Sequence, residues 1–203
     1  MLKQLVFVML FLLGIVHVNA QESAVDTLEH KVPNYTFYLK NNLLSDLTAT
    51  LNLGLEVPLG EQTSLDLMGY LNPFEFGNNR KWKHLLVQPE FRWWTKQAFA
   101  GHFFGIHANW AYYNVGGLPD FLFSDYMNTH RFEGWGVGAG LSYGYRWNFG
   151  KDLRWGLEAV VGVGYAYLDY EVFDCGNCGK KFGEEQKHYF GPTKAAVNLV
   201  YGI

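Results

Sequence analysis

The sequence predicts an all-β fold, an eight-stranded antiparallel up-and-down transmembrane β-barrel. Three observations favour this fold: long segments in which apolar and polar residues alternate, an abundance of aromatic residues and glycine, and connections that alternate between short and long. Aromatic residues make up 18% of the 203 residues, and 23 residues are glycine. That composition is typical of barrels with aromatic girdles at both membrane interfaces. After Ala20 no apolar run approaches the roughly 20 residues that a membrane helix needs.

The N-terminal residues have the features of a cleaved signal peptide. An apolar run from Leu5 to Val16 follows Lys3, and Ala20 precedes the expected cleavage point, where no cysteine offers a lipid anchor. The run is too short to cross a bilayer as a helix. The chain is therefore predicted to be secreted to the bacterial outer membrane, with a signal peptide at 1–20, a short periplasmic segment at 21–34 and the barrel at 35–203.

The alternation of apolar and polar residues is clearest between Gly134 and Phe149. One face of this segment carries bulky side chains and the other carries mainly glycine, as a period of two requires of a strand. The bulky residues are Trp135, Val137, Ala139, Leu141, Tyr143, Tyr145, Trp147 and Phe149. The same pattern predicts eight strands, at about 35–44, 49–59, 63–73, 84–95, 100–113, 133–149, 153–170 and 189–203.

The connections between the predicted strands alternate in length. The short ones are 60–62, 96–98 and 150–152, and the long ones are 74–83, 114–132 and 171–188. Short turns are typical of the periplasmic end of a membrane barrel and long loops of its extracellular end. Both ends of the barrel chain are then expected on the periplasmic side, with no periplasmic domain after the last strand.

The bulky face of each strand is expected to point outward, into lipid. In a soluble barrel that face would point inward, but an eight-stranded barrel has room inside only for side chains or one small ligand. Outer-membrane lipid and the barrel-assembly machinery are therefore the predicted partners. Two groups of aromatic residues stand where the interfacial girdles should be: Trp93, Trp147, Trp155 and Tyr201 near the short turns, and Trp110, Tyr112, Trp135, Tyr165 and Tyr167 near the long loops.

Charged residues on the inward face are predicted to form a paired network that fills the lumen, since an unpaired buried charge is costly. These residues are Lys40, Glu56, Asp66, Glu90, Arg92, Arg146, Arg154, Glu158 and Lys194. The alternative is a path for ions or protons, which would make the protein a small pore or transporter. No nucleic-acid partner is expected, because 16 Lys and Arg stand against 19 Asp and Glu without a basic cluster.

Both cysteines, Cys175 and Cys178, lie in the last long loop. A disulfide is the expected state in an oxidising compartment. A zinc site would need further ligands, for which His84, His130 and His188 are the candidates, and a redox centre would need a helix that the glycine-rich loop does not offer. No metal or other cofactor is predicted.

The long loop at 114–132 is more apolar than a solvated loop requires. Its candidate partner-binding residues are Leu118, Phe121, Leu122, Phe123, Tyr126 and Met127. The loop either docks a partner or folds over the barrel mouth or into the outer leaflet. Ser124, Asp125 and His130 share this loop, but no nucleophile motif surrounds them. No catalytic residue is predicted, and an outer-membrane enzyme is kept only as an alternative.

Seven strings that occur in order along the chain resemble a known family. They are Lys40-Asn41-Asn42-Leu43-Leu44, Asn52-Leu53-Gly54-Leu55-Glu56, Trp82-Lys83-His84 with Val87-Gln88-Pro89-Glu90, Tyr113-Asn114-Val115-Gly116-Gly117, Gly138 to Tyr145, Cys175-Gly176-Asn177-Cys178-Gly179 and Tyr189 to Ala196. The set resembles domain of unknown function 3575, a family of outer-membrane barrels of Bacteroides-type anaerobes. The resemblance implies fold and location but no activity. It also implies an association with fimbria-like surface systems, so a surface or fimbrial protein is an expected partner.

Overall fold

The structure, a computed structural model, describes residues 35–76, 80–116, 130–150, 152–174 and 181–203. The predicted signal peptide and periplasmic segment lie outside the described residues and stay predictions. Among the described residues, no helix is long or apolar enough to cross a membrane.

Nine strands and one four-residue helix form within the described part of the chain. They are β1 (Tyr38–Asn42), α1 (Leu43–Asp46), β2 (Leu51–Gly60), β3 (Thr63–Asn72), β4 (Glu75–Phe76), β5 (Arg80–Trp94), β6 (Gly101–Gly116), β7 (His130–Phe149), β8 (Trp155–Asp174) and β9 (Lys181–Gly202). All the paired strands are antiparallel, in the order β3-β2-β1-β9-β8-β7-β6-β5, and β3 also pairs with β5. Eight up-and-down strands therefore close into one ring, as predicted, and β4 only extends the sheet beside β5.

The two faces of the ring differ as the alternation predicts. On β3, Asp66 and Met68 point inward and are buried, whereas Leu65 and Leu67 point outward and are exposed. Polar and charged side chains dominate the middle of the interior, and leucine, valine and aromatic residues dominate the outside.

The strands become longer around the ring. Strand β1 has 5 residues, β2 and β3 have 10 each, β5 has 15, β7 and β8 have 20 each, and β9 has 22. Because the short turns lie at one end, the extra length of β5–β9 rises above the other end. We call this part the projecting sheet and define it as residues 80–83, 113–116, 130–134, 168–174 and 181–188.

The projecting sheet corrects the predicted long loops. The predicted loops 74–83, 114–132 and 171–188 are too long, because β5 begins at Arg80, β6 ends at Gly116, β7 begins at His130, β8 ends at Asp174 and β9 begins at Lys181. On the outer face of these stretches charged residues largely replace the apolar ones, as at Glu171, although some inward residues remain apolar, as at Val172. The apolar pattern of the outer face stops there although the strand pairing continues.

The first predicted strand, 35–44, is also corrected, because pairing ends at Asn42 and α1 follows. The Asn42 side chain accepts hydrogen bonds from the backbone N–H groups of Leu44 (3.2 Å) and Val197 (3.2 Å). Its own backbone N–H donates to Asn52 Oδ1 at 2.5 Å. Asn42 thus caps the helix and attaches it to β9.

Replacing Asn42 by alanine is expected to destabilise the fold by about 1–2 kcal/mol, the usual cost of losing a helix cap. The change removes the acceptor of two backbone N–H groups at the seam between β1 and β9. Urea unfolding of the purified protein would measure the effect. Asn41→Ala is the control, because the Asn41 side chain donates only to partly exposed oxygens of Asp46 and Asn52. An equal loss in both variants would contradict the role of Asn42.

Candidate functional site

Aromatic side chains fill the ring at its short-turn end. Tyr38, Trp94, Phe99 and Phe103 are buried and in contact, with ring centroids 4.2 Å apart for Tyr38 and Phe99 and 4.6 Å apart for Trp94 and Phe103. The connection at 95–100 is more than the tight turn predicted at 96–98, because it folds Phe99 into the ring with φ at +70°. Burial of the Phe99 ring opposes the cost of that left-handed conformation.

Two buried arginines lie at the centre of a charge cluster above these rings. Arg92 places Nη1 3.0 Å from Glu158 and 3.2 Å from Glu56, Nε 2.6 Å from Glu90, and Nη2 2.8 Å from Asp66. Arg146 places Nη2 2.6 Å from Glu158 and also pairs with Glu56. Both guanidinium groups therefore bridge carboxylates that belong to different strands.

The same arginines face the aromatic rings below them. The Arg92 guanidinium lies 4.4 Å from the centroid of Phe103, and that of Arg146 lies 4.9 Å from the centroid of Trp94. A desolvated cation over an aromatic face is favourable. The aromatic and charged layers therefore support each other.

Two buried lysines complete the cluster. Lys40 Nζ lies 2.8 Å from Glu158 and 3.2 Å from Asp66. Lys194 Nζ lies 3.0 Å from Glu90 and 4.0 Å from Asp66. Each carboxylate of the cluster thus has at least two cationic neighbours.

The cluster contains equal numbers of positive and negative groups. Its members are Lys40, Glu56, Asp66, Glu90, Arg92, Arg146, Glu158 and Lys194, and their side chains are at most 2% exposed. We call this set the lumen network. Four cations against four carboxylates leave no formal charge inside the ring, the arrangement that makes buried charge tolerable. Eight of the nine residues predicted for the lumen therefore meet in one cluster.

Arg154, the ninth, was wrongly predicted to point inward. Strand β8 begins only at Trp155, and Leu153 has a positive φ of 52°. Arg154 therefore precedes the first paired residue of β8, although its carbonyl accepts from the Gly202 N–H at 2.8 Å, and the alternation that holds along β8 does not apply to its side chain. The side chain is exposed at the short-turn end, where Nη1 donates to Tyr201 Oη at 3.2 Å.

Glycine on the inward face makes room for the long ionic side chains. A Cβ at Gly105 would lie 2.5 Å from Ser142 Oγ and 2.6 Å from Glu90 Oε1. A Cβ at Gly162 would lie 2.9 Å from His107 Cε1 and 3.0 Å from Lys194 Cβ. Any larger residue at these two positions would displace the lumen network.

A cavity of about 160 Å³ lies on the long-loop side of the lumen network. It is lined mainly by polar side chains, among them Asn42, Thr50, Tyr70, His84, Gln88 and Lys194. It has room for a few water molecules, and Lys194 of the lumen network forms part of its wall.

The outer surface of the ring changes character along the strands. On β8 the outward residues are mostly apolar from Trp155 to Tyr167, and Asp169 and Glu171 follow. On β7 the same change falls between Trp135 and Glu133. The outer face of the ring is therefore mostly apolar, and that of the projecting sheet is mostly charged or polar.

Ion pairs hold the far end of the projecting sheet. Lys181 Nζ lies 2.6 Å from Glu171 Oε1 and also pairs with Glu184. The hydrogen bonds to Glu171 and Glu184 raise the pKa of Lys181, and the one from Lys181 lowers the pKa of Glu184. Exposed pairs of this kind are typical of a solvated surface.

The sequence profile of a protein family of unknown function, DUF3575, matches residues 6–203, nearly the whole chain. The chain belongs to this family. No curated protein and no solved structure matches it.

Three of the strings through which the sequence resembles DUF3575 have a structural explanation in the ring. The string at 40–44 contains the end of β1 and the start of α1, and that at 189–196 crosses the irregularity of β9 opposite Gly162 and Val163. The string at 138–145 supplies the small inward residues of β7. These DUF3575 strings are therefore explained by packing.

Several predicted site residues lie outside the described residues or do not meet. Cys175 and Cys178 are not described, nor is the candidate partner-binding loop with Leu118, Phe121, Leu122, Phe123, Tyr126 and Met127. Their disulfide and docking roles stay predictions. His84 lines the cavity, whereas His188 lies on the outer face against Tyr165, so these two histidines do not converge.

The sequence contains a pattern that indicates the aromatic layer, the buried rings at the short-turn end, and the prediction did not use it. Trp93 and Trp94 are adjacent, as are Phe103 and Phe104, and neighbouring residues of a strand point to opposite faces. One member of each pair must therefore point inward, and these are Trp94 and Phe103. Phe99 gave no such signal, because it lies in a connection.

Proposed function

We propose that this protein is a non-enzymatic outer-membrane β-barrel that carries the projecting sheet and its connections outside the cell as a surface for a protein partner. The observation that carries the proposal is the change on the outer face, from apolar along the ring to charged along the projecting sheet. A lipid-facing band should end in this way where the strands enter water.

The apolar residues on the outer face of the ring, which we call the apolar band, are highly exposed. This exposure supports a lipid environment. Leu53, Ile106 and Leu141 point outward and are 63%, 62% and 64% exposed. Between Trp155 and Tyr167 a tilted strand covers roughly 30 Å, close to the thickness of a bilayer core. A soluble protein rarely exposes an apolar surface of this extent.

The interior supports an anchoring role over a conducting one. The lumen network and the aromatic layer occupy the ring between the cavity and the short-turn end. An eight-stranded barrel leaves little space once its interior side chains are in place. The binding surface is then the part of the chain beyond the band, namely the projecting sheet and its connections.

The barrel itself is tested by gel mobility of purified outer membranes. Unboiled protein should migrate as a compact band that shifts in apparent mass on boiling, because a closed antiparallel ring resists detergent until heated. A periplasmic protein without a shift would overturn the proposal. Steady conductance steps in planar bilayers would instead favour the small pore.

The binding role is tested by cross-linking on intact cells. Photo-reactive residues placed at Lys83 and Asp169, on the outer face of the projecting sheet, should capture a protein partner. The same probe at Leu141, within the apolar band, should capture lipid or nothing. Capture that is equal at all three positions would contradict a specific surface.

A further inference from the structure

Strand β9 has one edge that β1 does not cover. Its pairing with β1 runs only from Asn198 to Gly202, whereas its other edge pairs with β8 from Lys181 to Tyr201. From Lys181 to Ala196, no strand among the described residues lies along the β1 side. That edge is about 50 Å long, and it presents backbone donors and acceptors that can pair with another strand.

The part of this edge near the ring is protected, and the part farther from the ring is not. Near the ring, Asn42 accepts a hydrogen bond from the Val197 N–H, α1 contacts β9, and Pro192 has no N–H to offer. From Gly183 to Tyr189 the described residues provide no such cover, and Glu184 to Tyr189 are exposed. Charged side chains on an edge exclude partner strands that lack complementary charges, so this stretch is open only to a strand whose charge pattern matches that of Glu184, Glu185 and Lys187.

We propose that this edge pairs, antiparallel, with the same edge of a second copy of the chain, with Gln186 opposite Gln186 on the two-fold axis. The proposal deepens the proposed function and rests on it, since it names the partner of the projecting sheet.

The charge pattern selects this partner and this register. With Gln186 on the axis, Glu185 lies opposite Lys187 of the other copy and Glu184 lies opposite His188, each twice by symmetry. Centring the pair on Glu184, Glu185 or Lys187 would place like charges directly opposite each other, which is unfavourable. Only the Gln186 register is free of this repulsion between residues 184 and 187.

The antiparallel arrangement has a geometric consequence. It reverses the second strand, so the two rings point in opposite directions. Two such barrels therefore lie in facing membranes, and the contact joins two cells or vesicles. In detergent solution neither copy is constrained, so the pair can form there as well.

The test uses the full mature chain in detergent, with its mass measured by light scattering after gel filtration. Wild type should form a dimer. Lys187→Glu and Glu185→Lys should each weaken dimerisation roughly tenfold or more, because each places two like-charged pairs across the axis. The double variant Glu185→Lys with Lys187→Glu should restore the dimer. Lys96→Glu, the same charge change at an exposed position in the connection at the short-turn end, is the matched control and should leave the dimer intact.

A disulfide trap tests the register. Gln186→Cys, in a chain with Cys175→Ser and Cys178→Ser, should form a covalent dimer on oxidation, and Lys96→Cys in the same background, exposed at the short-turn end, should not. Wild type that stays monomeric, or a dimer indifferent to the single charge reversals, would overturn the homotypic contact. Each variant is also run unboiled and boiled. A heat-modifiable monomer refutes this inference alone, whereas loss of the shift in wild type refutes the proposed barrel.

Discussion

Replacing Arg146 by alanine is expected to lower the free energy of unfolding by about 3–5 kcal/mol, the cost of breaking a buried ion pair by removing one partner. Arg146 is 1% exposed and bridges Glu56 and Glu158. Without it, the lumen network keeps four carboxylates but only three cations. The alanine also leaves a void beside the Trp94 ring, over which the guanidinium lies.

Urea unfolding in lipid vesicles, followed by the heat-modifiable band, would measure this loss. Arg154→Ala is the matched control, since it removes the same side chain from an exposed position and should leave the unfolding midpoint unchanged. The double variant Arg146→Met with Glu158→Gln removes one charge of each sign and should recover part of the loss. If Arg146→Ala and Arg154→Ala behaved alike, the lumen network would not be the source of stability.

The contrast between these two arginines shows how far the alternation of residues predicts the interior. Alternation places Arg146 and Glu158 on the inward face correctly, because both lie within paired strands. It fails at Arg154, because it cannot tell where a strand begins. It also cannot show which charges meet: Lys40 and Glu158 lie on strands far apart in sequence, and the closure of the ring brings them within 2.8 Å.

The projecting sheet illustrates a second limit of the sequence. Strand ends were predicted where the apolar alternation stops, and that alternation reports which surface is apolar. Backbone pairing needs no apolar face, so β9 continues to Lys181 through a charged stretch. Helix α1 was not predicted either, since four residues are too few to show a helical period, and the side chain of Asn42 determines where the helix starts.

Replacing Leu141 by arginine is expected to destabilise the protein by about 2–4 kcal/mol in a lipid bilayer, the cost of an arginine on the lipid face of a barrel near the midplane. Leu141 lies on the outer face of β7, between Phe149 at the short-turn end and Trp135 at the other limit of the apolar band. Its side chain is 64% exposed and supports no core packing. In water, a change at so exposed a position would alter stability by less than about 0.5 kcal/mol.

The comparison of two positions makes this prediction specific to lipid. Asp169→Arg reverses a charge on the outer face of β8 beyond the apolar band and should leave stability in vesicles unchanged, because that residue would remain in water. Urea unfolding in vesicles and the amount of each variant recovered in the outer membrane would be measured together. If Leu141→Arg proved as harmless as Asp169→Arg, the apolar band would face water or another protein. The ring would then be a soluble scaffold whose outer leucines form a binding surface for a protein partner.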